Sequence, residues 1–225
     1  ERLGGEGCLS TIHNLLFGQD LFDTMKTKIK CFIPARYSSS RLPGKPLLCI
    51  QGKPIIQHVW EKVGKCEYID SAIVLTDDER IRKVVTDFGG KCAIVSEECL
   101  NGTERIVKYI KNTDDDCDLV VNVQGDEPFM KPEHVDGCIK NYLEKRHQFP
   151  DLRAGTLHFD IHNESEIINR STGKMVFDKN NNVLFCSRNI IPISKTAGLD
   201  NTGVHYVKEH QYYGHIGVFV FDKDY

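Results

Sequence analysis

Hydrophobic positions in the first two thirds of the chain form short apolar runs that alternate with longer segments of helical periodicity. The runs have the length of strands and cover residues 28–34, 71–76, 91–95 and 118–123, and the periodic segments cover 54–64, 78–89, 103–112 and 132–146. Runs that are apolar at nearly every position are typical of strands buried on both faces. Their alternation with helices of ~10–15 residues predicts a mostly parallel sheet with helices on both faces.

The pattern changes after residue 150. Strand-like runs at 153–159, 173–178, 182–187 and 215–222 follow one another, and the polar residues 178–182 indicate a hairpin turn between two of them. The prediction is an α/β protein with a Rossmann-like part at 26–150 and a smaller mixed α/β lobe at 151–225. Residues 1–25 fit neither part, although residues 9–17 have the pattern of a short amphipathic helix.

Charge and cysteine content narrow the classes of function. The net charge of −3 gives no overall attraction to nucleic acid or to an anionic membrane, so a polyanionic ligand requires a local cluster of cations. Nine cysteines without a C-x-x-C pair indicate buried thiols in a reducing compartment rather than disulfides or zinc. No apolar run approaches the ~20 residues of a membrane span, and the first residues lack the pattern of a signal peptide. We therefore expect a cytoplasmic protein with no nucleic-acid partner and no membrane span.

A basic loop follows the first predicted strand. It begins at Pro34 and Ala35 and contains Arg36, Arg41 and Lys45, together with three serines. Ligands of an open α/β sheet bind at the carboxyl ends of its strands, and clustered cations there suit a polyphosphate. The alternative is a solvated basic turn. A Walker A motif is absent from the sequence.

An acidic loop, Gln124-Gly125-Asp126-Glu127, follows the fourth predicted strand. Asp126 has the hard carboxylate oxygen that Mg²⁺ binds, usually together with substrate phosphates. Gln124 can hydrogen-bond a polar substrate, and Gly125 permits a close approach of the backbone. The alternative is an ordinary turn at the end of a strand. The basic loop at the same edge of the sheet favours the functional interpretation.

Two helix starts carry further candidate residues. Asp77 is a predicted N-cap of the helix at 78, and Thr103 of the helix at 103. Arg105 then lies in the first turn of its helix, where a cation opposes the helix dipole. It either pairs with a substrate carboxylate or forms a salt bridge to Glu104 or Asp87.

Lys174 and His215 are weaker candidates in the second lobe. Lys174 either points toward a site or lies at the edge of the sheet, and a single histidine such as His215 is more often structural than functional.

Four blocks of the chain together resemble the 3-deoxy-manno-octulosonate (Kdo) cytidylyltransferases, the CMP-Kdo synthetase family. They are IPARYSSSRLPGKPL at 33–47, Thr76-Asp77, GTER at 102–105 and NVQGDEP at 122–128. The resemblance extends from about residue 28 to 225. It implies that CTP and Kdo react to give CMP-Kdo and pyrophosphate with Mg²⁺, for lipopolysaccharide or related Kdo-glycan synthesis. It also implies a homodimer joined through the second lobe.

The resemblance implies a role for each candidate residue. Arg36, Ser39, Arg41 and Lys45 would hold the triphosphate, Pro34, Ala35, Thr76, Asp77 and Gln124 would lie at the nucleotide, and Asp126 would bind the metal. Arg105, Gln124, His215 and Lys174 would contact the sugar acid.

One feature departs from the family pattern. A Val-Asp-Thr segment of the family, whose aspartate is a second metal ligand, is absent from this sequence, which ends at Tyr225. We therefore expect weak activity or partial instability of this chain taken alone. Two alternatives stay open: a relative that binds nucleotide without turnover, and a cytidylyltransferase for another sugar acid, such as an 8-amino variant of Kdo.

Overall fold

The computed structural model describes residues 27–38, 42–193 and 211–225. The predicted helix at 9–17 and the candidates Ser39 and Arg41 lie outside these residues. The chain divides into two units. Unit 1 contains the described residues up to Gly155 together with Phe219–Tyr225, and unit 2 contains Thr156–Val218.

Unit 1 is built on a parallel sheet. Its strands are β1 (Ile29–Pro34), β4 (Ser71–Thr76), β5 (Cys92–Ile94) and β6 (Leu119–Val123), and a short hairpin is formed by β2 (Cys49–Ile50) and β3 (Lys53–Pro54). The order across the sheet is β5-β4-β1-β6. The helices are α1 (Ile55–Val63), α2 (Glu79–Asp87), α3 (Gly102–Thr113) and α4 (Pro132–Gln148). Every predicted strand and helix of this part is present, within a few residues of its expected ends.

Both faces of strand β1 are covered. Phe32 lies in an apolar cluster with Leu75 of β4 and Ile106 of α3. The neighbours of Phe32, Cys31 and Ile33, point to the opposite face and are also fully buried. Burial on both faces explains the unbroken apolar run in the sequence, and the prediction of a mostly parallel sheet flanked by helices is confirmed.

Two helix caps differ from the sequence prediction. Helix α2 is capped by Asp78, whose side chain accepts a hydrogen bond from the backbone of Arg80, and not by Asp77. Helix α3 is capped by Asn101 rather than Thr103. Asp77 and Thr103 have tertiary partners instead. Asp77 accepts a hydrogen bond from Arg105, and Thr103 accepts one from Asn122.

Unit 2 contains β7 (Ala154–Ile161, of which the first two residues belong to unit 1), α5 (Glu164–Ile168), β8 (Lys174–Phe177), β9 (Val183–Ser187) and most of β10 (Tyr212–Asp222). Strand β8 pairs antiparallel with both β9 and β10. The predicted hairpin turn is confirmed, because the backbone of Asp178 donates to Asn182 O at 2.9 Å. The predicted mixed, more antiparallel lobe is therefore observed.

No helix among the described residues is both long and apolar enough to cross a membrane. The eight cysteines that lie within them are all free thiols.

Candidate active site

The site lies where the strand order of unit 1 reverses. From β1 the chain adds β4 and β5 on one side and returns to add β6 on the other. Phe32 of β1 is in register with Asn122 of β6, and Pro34 is in register with Leu75 of β4. The loops that follow these strands therefore leave the sheet side by side. The crevice at such a switch point is the usual ligand site of open α/β sheets.

The basic and acidic loops meet through their charges. Lys45 Nζ lies 2.7 Å from Asp126 Oδ2, and both side chains are partly exposed, at 38% and 44%. Arg36, which is exposed, forms no ion pair with any described residue. The exposed pair of Lys45 and Asp126 contributes little to stability. Both charges of this pair are therefore available for a ligand at little cost to the fold.

Backbone contact also joins these two loops. Gly125 N donates to Pro34 O at 3.2 Å. A Cβ atom on Gly125 would lie 3.0 Å from the same oxygen and 3.2 Å from the Cβ of Ala35. The close approach therefore favours glycine, as expected from the sequence.

Glu127, next to the predicted metal ligand, is in a less polar environment. Burial raises the pKa of Glu127, and the neighbouring Asp126 carboxylate raises it further, whereas Lys45 acts against the rise. Glu127 therefore takes up a proton at a higher pH than an ordinary glutamate does.

Arg105 is held by two acceptors. Its Nη2 donates to Asp77 Oδ2 at 2.7 Å and its Nη1 donates to Val95 O at 2.9 Å. The Arg105 side chain is 5% exposed and that of Asp77 is 39% exposed. Thr76, at the end of β4, is fully buried, and its Oγ1 accepts the backbone N–H of Asp78 at 3.2 Å. Thr76 therefore supports the start of α2, and Asp77 supports Arg105.

The salt bridges considered from the sequence for Arg105 are not formed. Glu104 pairs with Lys108 at 3.1 Å, and Asp87 pairs with Lys83 at 2.7 Å. The contact of Arg105 with a sugar carboxylate stays a prediction.

A chain of amide groups positions Gln124. Asn122 is fully buried, and its Nδ2 donates to Thr103 Oγ1 at 3.2 Å. Gln124 Nε2 donates to Asn122 Oδ1 at 3.0 Å, which leaves the Gln124 carbonyl oxygen directed elsewhere. Gly102 packs against this group, since a Cβ there would lie 3.4 Å from Gln124 Oε1 and 2.7 Å from Pro34 Cγ. The sequence analysis gave Asn122 no role in the site and Thr103 only that of a helix cap, although a polar residue such as Asn122 in a fully buried strand was a signal.

Lys174 is buried within unit 2. It is fully inaccessible to solvent, and its Nζ donates to three backbone carbonyls at 2.6–3.3 Å, those of Asn169, Thr172 and Arg188. Only the charged ammonium has three donors, so these contacts require it even though burial lowers the pKa of Lys174. A sugar contact for Lys174 stays a prediction, and it would require the ammonium to leave one of these carbonyls.

His215 also lies in unit 2, and its hydrogen bonds define its tautomer. Thr156 Oγ1 donates to Val218 O at 2.7 Å, and the same oxygen lies 2.9 Å from His215 Nε2. Since the hydroxyl proton is used, Nε2 must carry the proton that it donates to Thr156. Burial lowers the pKa of His215, which favours this neutral form. The predicted sugar contact of His215 stays a prediction.

Asp126 has the chemistry of a magnesium ligand. Its carboxylate is partly exposed, and Lys45 contacts only Oδ2. A single hard oxygen fits Mg²⁺, which commonly takes one or two protein carboxylates and completes its shell with phosphates and water.

Two of the buried thiols are poorly suited to nucleophilic chemistry. Burial raises the pKa of Cys66 to about 12 and of Cys138 to about 11, so both are protonated at neutral pH.

Comparison with known proteins shows what the chain resembles. A family model described as cytidylyltransferase matches residues 30–224. The chain is 42% identical, over 86% of its length and 75% of the relative's, to a 3-deoxy-manno-octulosonate cytidylyltransferase of Syntrophus aciditrophicus. It is 39% identical, over 87% and 75%, to an 8-amino-3,8-dideoxy-manno-octulosonate cytidylyltransferase of Shewanella frigidimarina. It also resembles the structure of a CMP:2-keto-3-deoxy-manno-octonic acid synthetase complexed with CTP, with a TM-score of 0.73, 34% identity and coverage of 88% and 75%.

Proposed function

The chain belongs to the cytidylyltransferase family, and from this premise we propose that it transfers CMP from CTP to the anomeric hydroxyl of Kdo, giving CMP-Kdo and pyrophosphate. The observation that carries the proposal is the junction of the basic and acidic loops at the switch point, where Lys45 Nζ lies 2.7 Å from Asp126 Oδ2. This junction brings together a cation for phosphates and a carboxylate for a metal. The relatives named above supply the nucleotide and the sugar acid.

The protein contributes mainly positioning and charge to this reaction. The anomeric hydroxyl loses its proton to water as its oxygen forms a bond to the α-phosphorus, and the bond from that phosphorus to the oxygen of the leaving pyrophosphate breaks. Phosphoryl transfer of this type needs orientation and neutralisation of charge rather than a covalent intermediate. Bound Mg²⁺ would neutralise phosphate charge, and Asp126 would hold it.

Arg36 and Lys45 are the proposed triphosphate contacts. Lys45 is paired with Asp126 before the nucleotide binds. A triphosphate would offer its ammonium a more highly charged partner, and Asp126 would be freed for the metal. Arg36 has no competing ion pair among the described residues, so its guanidinium is available for bidentate binding of phosphate.

Arg105 and Gln124 are the proposed sugar contacts of unit 1. Arg105 is already held on two of its nitrogens by Asp77 and Val95, which reduces the conformational entropy lost when a carboxylate binds. The oriented carbonyl oxygen of Gln124 is suited to accept a hydrogen bond from a hydroxyl group.

Thermal stabilisation tests the nucleotide part of this proposal. A ligand at ~100 times its Kd adds about 2.7 kcal/mol to the free energy of unfolding, and each kcal/mol raises Tm by roughly 2–4 °C for a chain of this size. CTP with Mg²⁺ should therefore raise Tm by about 5–11 °C at that excess, and GTP should not.

Matched variants assign the effect to the site. Lys45→Ala should reduce the CTP shift, and Asp126→Ala should remove its dependence on Mg²⁺. Lys53→Ala is the control, because Lys53 forms a similar exposed pair with Glu61, and neither residue is a predicted site residue. Equal CTP shifts in Lys45→Ala and Lys53→Ala would contradict the assignment of Lys45.

A second candidate substrate is 8-amino-3,8-dideoxy-manno-octulosonate, because a relative at 39% identity is named for it. Pyrophosphate release with each sugar acid in turn would decide between them. Release with neither, by a chain that binds CTP, would favour the non-catalytic alternative.

We further propose a cytoplasmic homodimer. Nine cysteines support a reducing compartment. Three consecutive apolar residues of β9 support association through unit 2, since Val183, Leu184 and Phe185 are 44%, 65% and 60% exposed. Sedimentation should give a dimer mass for the wild type and a monomer mass for Phe185→Glu, and a wild-type monomer would refute the dimer.

A further inference from the structure

An arginine of helix α2 stacks on an aromatic ring at the start of the basic loop. The guanidinium carbon of Arg80 lies 3.3 Å from the centre of the Tyr37 ring. Asp78 holds the same guanidinium in a bidentate pair, with Nε–Oδ1 at 2.9 Å and Nη2–Oδ2 at 2.6 Å. Arg80 is therefore fixed on one side by a carboxylate and on the other by a ring, an arrangement that suits the planar fork of arginine and not lysine.

Tyr37 in turn holds the far end of the loop. Gly44 N donates to Tyr37 O at 2.8 Å. Gly44 has a φ of +68°, and a Cβ atom there would lie 3.0 Å from Tyr37 Cε2. The entrance and the exit of the loop are therefore joined by a backbone hydrogen bond and by the packing of the ring against Gly44.

The joined residues are direct neighbours of the two proposed phosphate contacts. Arg36 precedes Tyr37, and Lys45 follows Gly44. Any constraint on Tyr37 and Gly44 therefore constrains the separation of these two cations.

The position of Arg80 is unfavourable for the helix alone. It lies in the first turn of α2, where the partial positive charge of the helix dipole opposes a cation. Its side chain is 59% exposed, so it contributes little to the core. A contact with the loop gives a physical reason for an arginine at this place.

We propose that Arg80, held by Asp78, is a positioning residue that acts through Tyr37 and Gly44 to fix the spacing of Arg36 and Lys45 for the triphosphate. It does not contact the substrate. This inference rests on the proposed function, since its consequence is measured as CTP affinity.

Two readouts test the inference in Arg80→Ala. Stacking of a cation on an exposed ring corresponds to a factor of about 2 to 5 in an equilibrium constant. KM for CTP should therefore rise by about 2- to 5-fold, with KM for the sugar acid and kcat unchanged. Without nucleotide, hydrogen exchange at the Gly44 amide should accelerate by a similar factor of about 2 to 5, because the amide exchanges through local opening.

Arg82→Ala is the matched control. Arg82 lies on the same helix, is 50% exposed and pairs with Glu79 rather than with the loop. It should leave both readouts unchanged. Arg80→Lys keeps the charge but not the bidentate fork, so its KM for CTP and its Gly44 exchange rate should lie between those of the wild type and Arg80→Ala. Tyr37→Phe retains the ring and should behave like the wild type.

The outcomes separate the inference from the proposed function. If the wild type binds CTP and Arg80→Ala matches Arg82→Ala in both readouts, the positioning role is overturned and the function stands. If the wild type does not bind CTP, the proposed function fails, and the positioning role for CTP fails with it, whatever the exchange of Gly44. A rise in the KM for CTP together with faster Gly44 exchange, found only in Arg80→Ala, supports both.

Discussion

Replacing Gly102 by alanine tests how closely helix α3 approaches the site. Gly102 is the first residue of α3 and packs against Pro34 at the end of β1. A Cβ atom there would lie 2.7 Å from Pro34 Cγ and 3.0 Å from Pro34 Cβ. Carbon atoms in favourable contact are about 3.5–4.0 Å apart. The proline ring is rigid, so the overlap must be relieved by movement of α3 or of Pro34.

The magnitude follows from two opposing effects. Overpacking of this kind costs about 1–3 kcal/mol. Alanine is favoured over glycine by up to about 1 kcal/mol inside a helix, and by less at the first residue. We expect a net loss of about 1–2 kcal/mol, which lowers Tm by about 2–8 °C. Because Pro34 O accepts the Gly125 amide, movement of Pro34 should also weaken CTP binding, by about tenfold for 1.4 kcal/mol.

Thermal unfolding and CTP titration of two glycine variants provide the assay. Gly137→Ala is the control, because Gly137 lies inside α4 and a Cβ there would meet no atom within 4 Å. This variant should raise Tm by about 2–4 °C through helix propensity and leave CTP affinity unchanged. Opposite signs of ΔTm are therefore expected for the same chemical change at two helical positions.

Equal behaviour of the two variants would contradict the close contact between α3 and Pro34. If Gly102→Ala were as stable as the wild type and bound CTP equally well, α3 would not abut Pro34 as described. A lower Tm with unchanged CTP affinity would mean that the contact is only structural.

Three further predictions concern charged side chains. Asp77→Asn removes the ionic partner of Arg105, so the KM for the sugar acid should rise by about tenfold, which is more than the accompanying change in CTP affinity. Glu127→Gln should be more stable than the wild type near pH 7 and equally stable near pH 4. The pKa of Glu127 is higher in the folded protein than its ordinary value of 4.5, which applies in the unfolded chain. Between these two pKa values the folded protein binds more protons, so the wild-type free energy of unfolding falls as the pH rises from one to the other. Lys174→Met should lose roughly 3 kcal/mol in chemical denaturation, because three buried carbonyls lose a charged donor.

Each of these has a result that would contradict it. A larger change in CTP affinity than in the KM for the sugar acid would assign Asp77 to the nucleotide. A stability difference between Glu127→Gln and the wild type that does not vary with pH would exclude titration of Glu127 as its cause. Unchanged stability of Lys174→Met would show that its carbonyl contacts are dispensable, and would favour the predicted ligand contact.

Sequence periodicity was sufficient for the elements of unit 1 because its strands are buried on both faces. A run such as Leu119–Val123, apolar at four of its five positions, can be assigned as a strand without knowledge of its neighbours in the fold. The helix caps were less certain, because capping residues occurred in clusters. Asp77 and Asp78 are equivalent as local caps. Asp77 instead pairs with the distant Arg105, and Asp78 caps the helix.

The order of residues along the chain places a basic loop and an acidic loop after buried strands, and hence at one edge of a parallel sheet. Which of these residues touch depends on the fold. The pairing of Lys45 with Asp126 joins positions 81 residues apart, and the stacking of Arg80 on Tyr37 joins the basic loop to the start of helix α2. Such contacts depend on strand order and on the direction of each side chain, which are set by the packing of the whole sheet. Local patterns do not encode these contacts, and the residues that support the proposed triphosphate site are therefore identified only from the fold.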